Sequence, residues 1–143
     1  KQADLSISDI DRIINKESGL LGISRVSNDH RDIEHGIENN DEMCILAEKM
    51  YIRRIVDYIA KYYVLLGGVD AIAFTAGVGE NSYQVRKRVI DSLKVLGIKL
   101  DEEANKVMGH EALITTSDSS IPCYVIPTDE ELMIARDTYE LIK

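Results

Sequence analysis

The sequence predicts an α/β fold, rich in helix, with a short and mostly parallel sheet. Three observations carry that expectation. The first 66 residues show almost only helical periodicity. The second half alternates short apolar runs with amphipathic stretches, the pattern of strands crossing over through helices. At the first of these junctions an apolar run, 71–74, meets Gly77-Val78-Gly79-Glu80-Asn81 and then an amphipathic segment from Ser82 to Leu96.

Taken in order, Ser8 is expected to cap a first helix to about Lys16, with Ile10, Ile13 and Ile14 on one face. Ser18-Gly-Leu-Leu-Gly-Ile-Ser24 then reads as a loop, and Asn28-Asp29-His30-Arg31-Asp32 begins a short helical turn. The longest helical pattern runs from about Asn40 to Leu66, ~40 Å at 1.5 Å per residue. Ile45, Ile52, Ile59 and Leu66 recur every seven residues. Met43, Leu46, Ile55, Val56, Tyr62 and Tyr63 widen the stripe, which predicts burial on more than one side. Gly67-Gly68 ends this helix.

After the strand at 71–74 and the helix from Ser82 to Leu96, Ile98-Lys-Leu100 is too short to assign. Asp101 to Met108 reads as a short helix stopped by Gly109. Leu113–Thr116 and Cys123–Ile126 are strand-like. Thr128 is expected to start the final helix, over 129–142, with Glu131 closing a capping box. So narrow a sheet buries little, which implies further strands of the same sheet upstream of Lys1.

Composition narrows the function classes. At 143 residues the chain is one domain or part of one, with 45% apolar and 29% charged residues. A net charge of −8 argues against a nucleic-acid surface, and the one basic run, Arg86-Lys87-Arg88, reads as a solvated helix face. No apolar run approaches the ~20 residues that span a bilayer. Cys44 and Cys123 lack metal-ligand spacing and read as free thiols in a reducing, cytoplasmic setting.

The junction at Gly77–Asn81 has the strand, glycine turn and helix that bring backbone N–H groups close to a phosphate or nucleotide. Glycine suits it by tolerating positive φ and by leaving room for a ligand. A Walker A loop is excluded, because no Lys-Ser or Lys-Thr follows. A dinucleotide fingerprint is matched in part: Ser82 stands where Gly or Ala belongs, and Asp101 is the acidic residue downstream. A ligand-free structural turn accounts for the same residues. In Thr128-Asp129-Glu130-Glu131, the capping box uses Thr128 and Glu131. Asp129 and Glu130 either answer the helix dipole or hold a hydrated divalent cation. Arg31 can lie against a purine or reach phosphate, or the Asn28–Asp32 stretch is only a capped helix start. The three histidines have no metal or triad spacing, and no Ser or Cys has a base partner.

Four motifs together resemble the acetate kinases, the acetate/propionate kinase family. They are Ser18–Ser24, Asp29-His30-Arg31-Asp32, Phe74-Thr-Ala-Gly-Val-Gly-Glu-Asn-Ser82 with Val85-Arg86, and Ile126-Pro-Thr-Asp-Glu-Glu-Leu-Met-Ile-Ala-Arg-Asp-Thr138. The resemblance implies half of an actin/Hsp70/sugar-kinase-like (ribonuclease H-like) domain. Residues 1–143 would be the C-terminal part of its nucleotide-binding domain, with the helix at 129–142 packing back toward the first domain.

By the same resemblance Gly77, Val78, Gly79, Glu80 and Asn81 lie beside the nucleotide. Asp29, His30 and Arg31 face its adenosine side, His30 standing where the family usually has a bulky apolar residue. Glu130 binds Mg²⁺. Implied too are reversible transfer of the ATP γ-phosphoryl to acetate, giving acetyl phosphate and ADP, and a homodimer. The acetate pocket and the catalytic groups lie upstream in the family, so no catalytic residue is assigned here. Two other classes stay open: a non-catalytic dimerisation or assembly element, and a Rossmann-type NAD-binding protein.

Overall fold

The computed structural model describes residues 5–143. They form two compact units, one ending at Ile59 and the other beginning at Ala60, so the boundary falls within the longest helix.

In the first unit, α1 (Ile7–Arg12) runs on into a π-helical turn, Ile13–Glu17, followed by α2 (Gly19–Ser24), α3 (His30–Glu38) and the start of α4 (Glu42–Leu66). The cap of α1 is Ser6, not Ser8. Ser6 Oγ accepts from the Asp9 amide and the Asp9 carboxylate accepts from the Ser6 amide, both at 3.1 Å. Ser8 instead hydrogen-bonds the Ser6 hydroxyl, and the Asp11 carboxylate that would complete a box with it takes Asn15 Nδ2. The Ser18–Ser24 stretch is helical, not a loop. Gly19, at φ 63°, turns the chain from extended Ser18 into α2, which Arg25 closes in the left-handed region.

The buried stripe of α4 is Cys44, Ala47, Glu48 and Ile52, confined to its first half. Tyr58, Tyr62, Val64, Leu65 and Leu66 are exposed, so the helix is not buried on several sides within this chain. Its breadth of apolar residues was legible, but coverage depends on neighbours that periodicity does not report.

The second unit is built on a three-stranded mixed sheet in the order β1-β3-β2. β1 (Ile72–Phe74) lies parallel to β3 (Cys123–Val125), with Ala73 opposite Tyr124. β2 (Ala112–Leu113) runs antiparallel to β3, and an antiparallel bridge joins Leu100 to Thr115. Parallel pairing of β1 with β3 requires a crossover, supplied by α5 (Ala76–Asn81) and α6 (Tyr83–Ser92). The expected helix over 101–108 is only a 3₁₀ turn, Ala104–Lys106, because the Asp101 carboxylate folds over the amides of Glu103 and Ala104 and closes a turn.

α6 shows what the sheet rests on. Ser82, Val85, Arg86, Val89, Ile90 and Leu93 are all buried, one stripe at helical spacing. Arg86 is therefore not on a solvated face: it is 0% exposed. Its guanidinium uses all five N–H donors. Nε donates to Asn105 Oδ1, Nη1 to the carbonyls of Gly79 and Glu80, and Nη2 to those of Asn105 and Val107, at 2.6–2.9 Å. Every acceptor is neutral, and burial pushes its pKa down from the ordinary guanidinium range.

The final helix, α7, is Glu130–Leu141, and the expected capping box does not form. Asp129 is the cap, its Oδ1 accepting from the Leu132 amide at 3.0 Å. Thr128 is drawn away, because its amide and hydroxyl both donate to Glu80. Glu131 then falls at the second helical position, out of reach of a box.

Two predictions follow the two corrections. Arg86→Leu leaves four carbonyls and an amide oxygen without their donor, each buried acceptor left unsatisfied costing about 1–3 kcal/mol, and destabilises the fold by at least that much. The neighbouring Lys87→Ala, which loses only exposed pairs with Glu102 and Asp91, costs ~1 kcal/mol or less. Equal costs in chemical denaturation return Arg86 to the surface. At α7, Asp129→Ala costs about 0.5–2 kcal/mol and Glu131→Ala far less. The reverse order in the same denaturation series restores Thr128 as the cap.

Candidate functional site

The candidate residues fall in two groups, one in each unit. In the first unit Asp29 caps α3, its carboxylate accepting from the Arg31 amide at 2.9 Å and from the Arg31 guanidinium at 2.6 Å. The guanidinium and the amide together hold the Asp29 carboxyl down at about 2. A carboxyl depressed in the folded state contributes stability above its unfolded pKa of ~3.9. That contribution fades as the pH falls toward about 2. Arg31 keeps its side chain 84% exposed, with a flat guanidinium already oriented by Asp29. His30 does not point to solvent beside it. It is buried, with Nε2 2.7 Å from Glu48 Oε2 on α4, Nδ1 3.6 Å from Glu34, and its ring 5.5 Å from Tyr51. His30 thus serves to seat the start of α3.

In the second unit, Gly77–Asn81 is a helical turn of α5 rather than an open loop. Neither Gly77 nor Gly79 has a positive φ, so conformational freedom is not why they are glycines. A Cβ on Gly79 would lie 3.3 Å from the Phe74 carbonyl carbon, so that glycine lets α5 sit against β1. A Cβ on Gly77 would meet nothing within 4 Å. The strained residue is Ala76, at φ 59°, which costs about 1–3 kcal/mol for a residue with a side chain. Strain at the strand-to-helix joint and a glycine with no folding reason sit at adjacent positions.

Val78 is half-buried, and Asn81 turns Nδ2 back onto the Gly77 carbonyl at 2.9 Å. Glu80 is buried, and its carboxylate is occupied inside the protein: Oε1 accepts the Thr128 amide at 2.7 Å and the Thr128 hydroxyl at 2.9 Å. These bonds, with a further one from the Ala76 amide, hold its pKa below the ordinary carboxylate range against the cost of burial. Its stabilising contribution is accordingly present near neutrality and lost in acid.

Glu130 is the first residue of α7 and is exposed. Asp129 beside it is taken by the cap. Among the described residues no three His, Cys, Asp or Glu side chains gather as an all-protein metal cage. One outward carboxylate suits Mg²⁺, which keeps several waters and takes one or two protein carboxylates along with substrate phosphate. Both thiols are free and buried, Cys123 pushed up to about 11 by desolvation, so neither is a nucleophile at neutral pH.

The dinucleotide reading loses its geometry. The helix breaks at Ser82, whose hydroxyl caps α6 through the Val85 amide, and Asp101 is folded over its own turn. Two supporting residues escaped the sequence reading. Thr128 shows no local sign of its partner 48 positions away. Arg86 did leave one, since it falls in the apolar stripe of α6.

Comparison with known proteins identifies the family. A profile described as the Acetokinase family matches residues 1–136. An acetate kinase of Clostridium novyi (strain NT) is 51% identical over 143 residues, covering 100% of this chain and 36% of that protein. The crystal structure of Porphyromonas gingivalis acetate kinase superimposes with a TM-score of 0.85 at 44% identity, over 97% of this chain and 35% of its own. That of a propionate kinase from Francisella tularensis subsp. tularensis SCHU S4 gives 0.81 at 36% identity, over 92% and 33%. The chain therefore spans about a third of the length of these relatives, their fold is the helix-rich, actin-like one described above, and the chain belongs to the acetokinase family.

Proposed function

We propose that this chain forms the adenine-nucleotide and magnesium side of an ATP:acetate phosphotransferase, an enzyme that moves the γ-phosphoryl of ATP to acetate and back. The observation that carries the reading is Gly77: exposed, ordinary in φ, with open space where its Cβ would stand. Such a glycine has no folding reason, and it lies next to a strained residue in the motif the family shares. A nucleotide laid over this turn supplies the reason.

In this reading Gly77, Val78 and Gly79 present backbone to the nucleotide, with Asn81 fixing the turn from within. In the first unit Asp29, His30 and Arg31 match the family's adenosine-side segment, with Arg31 oriented by Asp29 and His30 buried against Glu48. Glu80 supports the turn instead of touching the ligand. Glu130 would hold hydrated Mg²⁺, and that ion would offset the charge of the phosphates. The acetate pocket and the groups that stabilise the transferring phosphoryl come from the rest of the enzyme, and the preferred short-chain acid is set there.

The chain would be the C-terminal part of a nucleotide-binding domain. Among the described residues β1 has a sheet neighbour on one side only, and α7 exposes Leu132, Met133, Ile134, Tyr139 and Leu141. That surface supports α7 packing on another domain. A homodimer accords with the exposed end of α4, and a cytoplasmic setting with the free thiols.

Calorimetric titration of the chain tests the reading. ADP with Mg²⁺ binds and NAD does not. Gly77→Ala keeps or raises the melting temperature, because alanine is favoured in a helix by up to ~1 kcal/mol, yet weakens ADP binding. Glu130→Ala keeps the fold and loses the gain in ADP affinity that Mg²⁺ brings. NAD binding, no ADP binding, or a Gly77→Ala variant with wild-type ADP affinity overturns it.

A further inference from the structure

Glu80 joins two parts of the second unit that chemistry must keep in register. It lies at the end of α5, and its carboxylate oxygen receives two hydrogen bonds from Thr128, at 2.7 and 2.9 Å. It also receives the amide of Ala76, the strained residue at the other end of the same turn. Its own backbone carbonyl is gripped by Arg86 at 2.9 Å and accepts the Gly109 amide at 3.3 Å. The side chain therefore cannot swing away without leaving these partners. Thr128 immediately precedes Asp129, the cap of α7, and Glu130, its first residue. A charged group is seldom buried this far unless its bonds hold something in place.

We propose that Glu80 is a positioning residue for the metal side of the site: its buried carboxylate ties the start of α7, and so Glu130, to the Gly77–Asn81 turn that carries the nucleotide. This rests on the function proposed above. It gives Glu80 an outer-sphere role, exercised through Thr128 two residues before Glu130, in place of a contact with the nucleotide. One anchor then sets the spacing between the backbone beneath the phosphates and the carboxylate that faces their cation.

The test is a set of ADP titrations at increasing Mg²⁺, run on the wild-type chain and on Glu80→Ala, Glu80→Gln and Thr128→Val. Hydrogen exchange at the amides of Thr128 to Leu132 is followed in parallel. Removing an outer-sphere partner typically costs 10–100-fold in metal affinity. Glu80→Ala is accordingly expected to raise the Mg²⁺ concentration for half-maximal effect by about 10-fold, the low end of that range because Glu80 acts through Thr128, and to lower ADP affinity more with Mg²⁺ than without it. Exchange at the start of α7 speeds up with it. Thr128→Val, which keeps the amide donor and loses the hydroxyl, shifts the Mg²⁺ requirement in the same direction by less. Glu80→Gln keeps an acceptor oxygen for Thr128 and restores most of the wild-type dependence.

A merely structural role lowers ADP affinity equally with and without Mg²⁺, and that result overturns the proposal, as does a Glu80→Ala variant with the wild-type Mg²⁺ requirement. If Glu80→Ala does not fold, Thr128→Val decides by the same criterion. Loss of the proposed function itself looks different: the wild-type chain then shows no ADP binding, or Glu130→Ala keeps the full Mg²⁺ effect.

Discussion

The second unit depends on one buried cation. Arg86 sits on α6 among Val85, Val89 and Ile90, where an unpartnered guanidinium would be too costly to keep. It is kept because five polar acceptors close around it. Two of those are the carbonyls of Gly79 and Glu80, which lie at the end of α5 where a helix leaves acceptors without internal partners. A helix of six residues is far below the length at which helices are stable alone. α5 persists because Arg86 satisfies its last carbonyls and Glu80 reaches back to its first amide. The same guanidinium binds Asn105 and Val107, and Asn105 returns a bond to the Tyr83 carbonyl at the start of α6. A stretch with little regular structure is thereby fixed without a strand or a long helix.

This arrangement separates rigidity from contact. Arg86, Glu80 and Thr128 do their work within the protein, so the outer surface of the turn can remain bare. Bareness is what a ligand-facing backbone requires, and Gly77 has it. The strain at Ala76 belongs to the same logic. A positive φ on an alanine persists only where the surroundings over-determine it, and α5 is bound at both ends. In the first unit the pair Asp29–Arg31 achieves something similar on a smaller scale, with the anchoring charge at the surface and the buried His30–Glu48 contact beneath it.

Much of the fold was legible because it follows local rules. The β1 and β3 strands, α4, α6, and the glycine stop after Leu66 each follow from an apolar run, a period or a terminating residue. Two of the failures share a cause, competition from partners distant in sequence. Thr128 has the right chemistry for a cap, and lost that role because Glu80, 48 residues away, takes its donors. Charge and the neighbours Lys87 and Arg88 place Arg86 in solvent, although the stripe through Val85, Val89, Ile90 and Leu93 runs through it. Periodicity was the better guide there than residue type. Of the proposed site, the glycine turn and Glu130 are visible as motifs. That Glu80 faces inward, and that Gly79 serves packing while Gly77 does not, needed the backbone in place.

The central claim is that Arg86 is locked inside, and its own side chain reports on this most directly. Hydrogen exchange of the Arg86 Nε proton, which is donated to Asn105 Oδ1 at 2.9 Å, measures it by NMR. The account predicts slow exchange that is released only on unfolding of the second unit, with Arg31 and Arg53 on the surface exchanging rapidly. An Arg86 Nε proton that exchanges as fast as those two would contradict it.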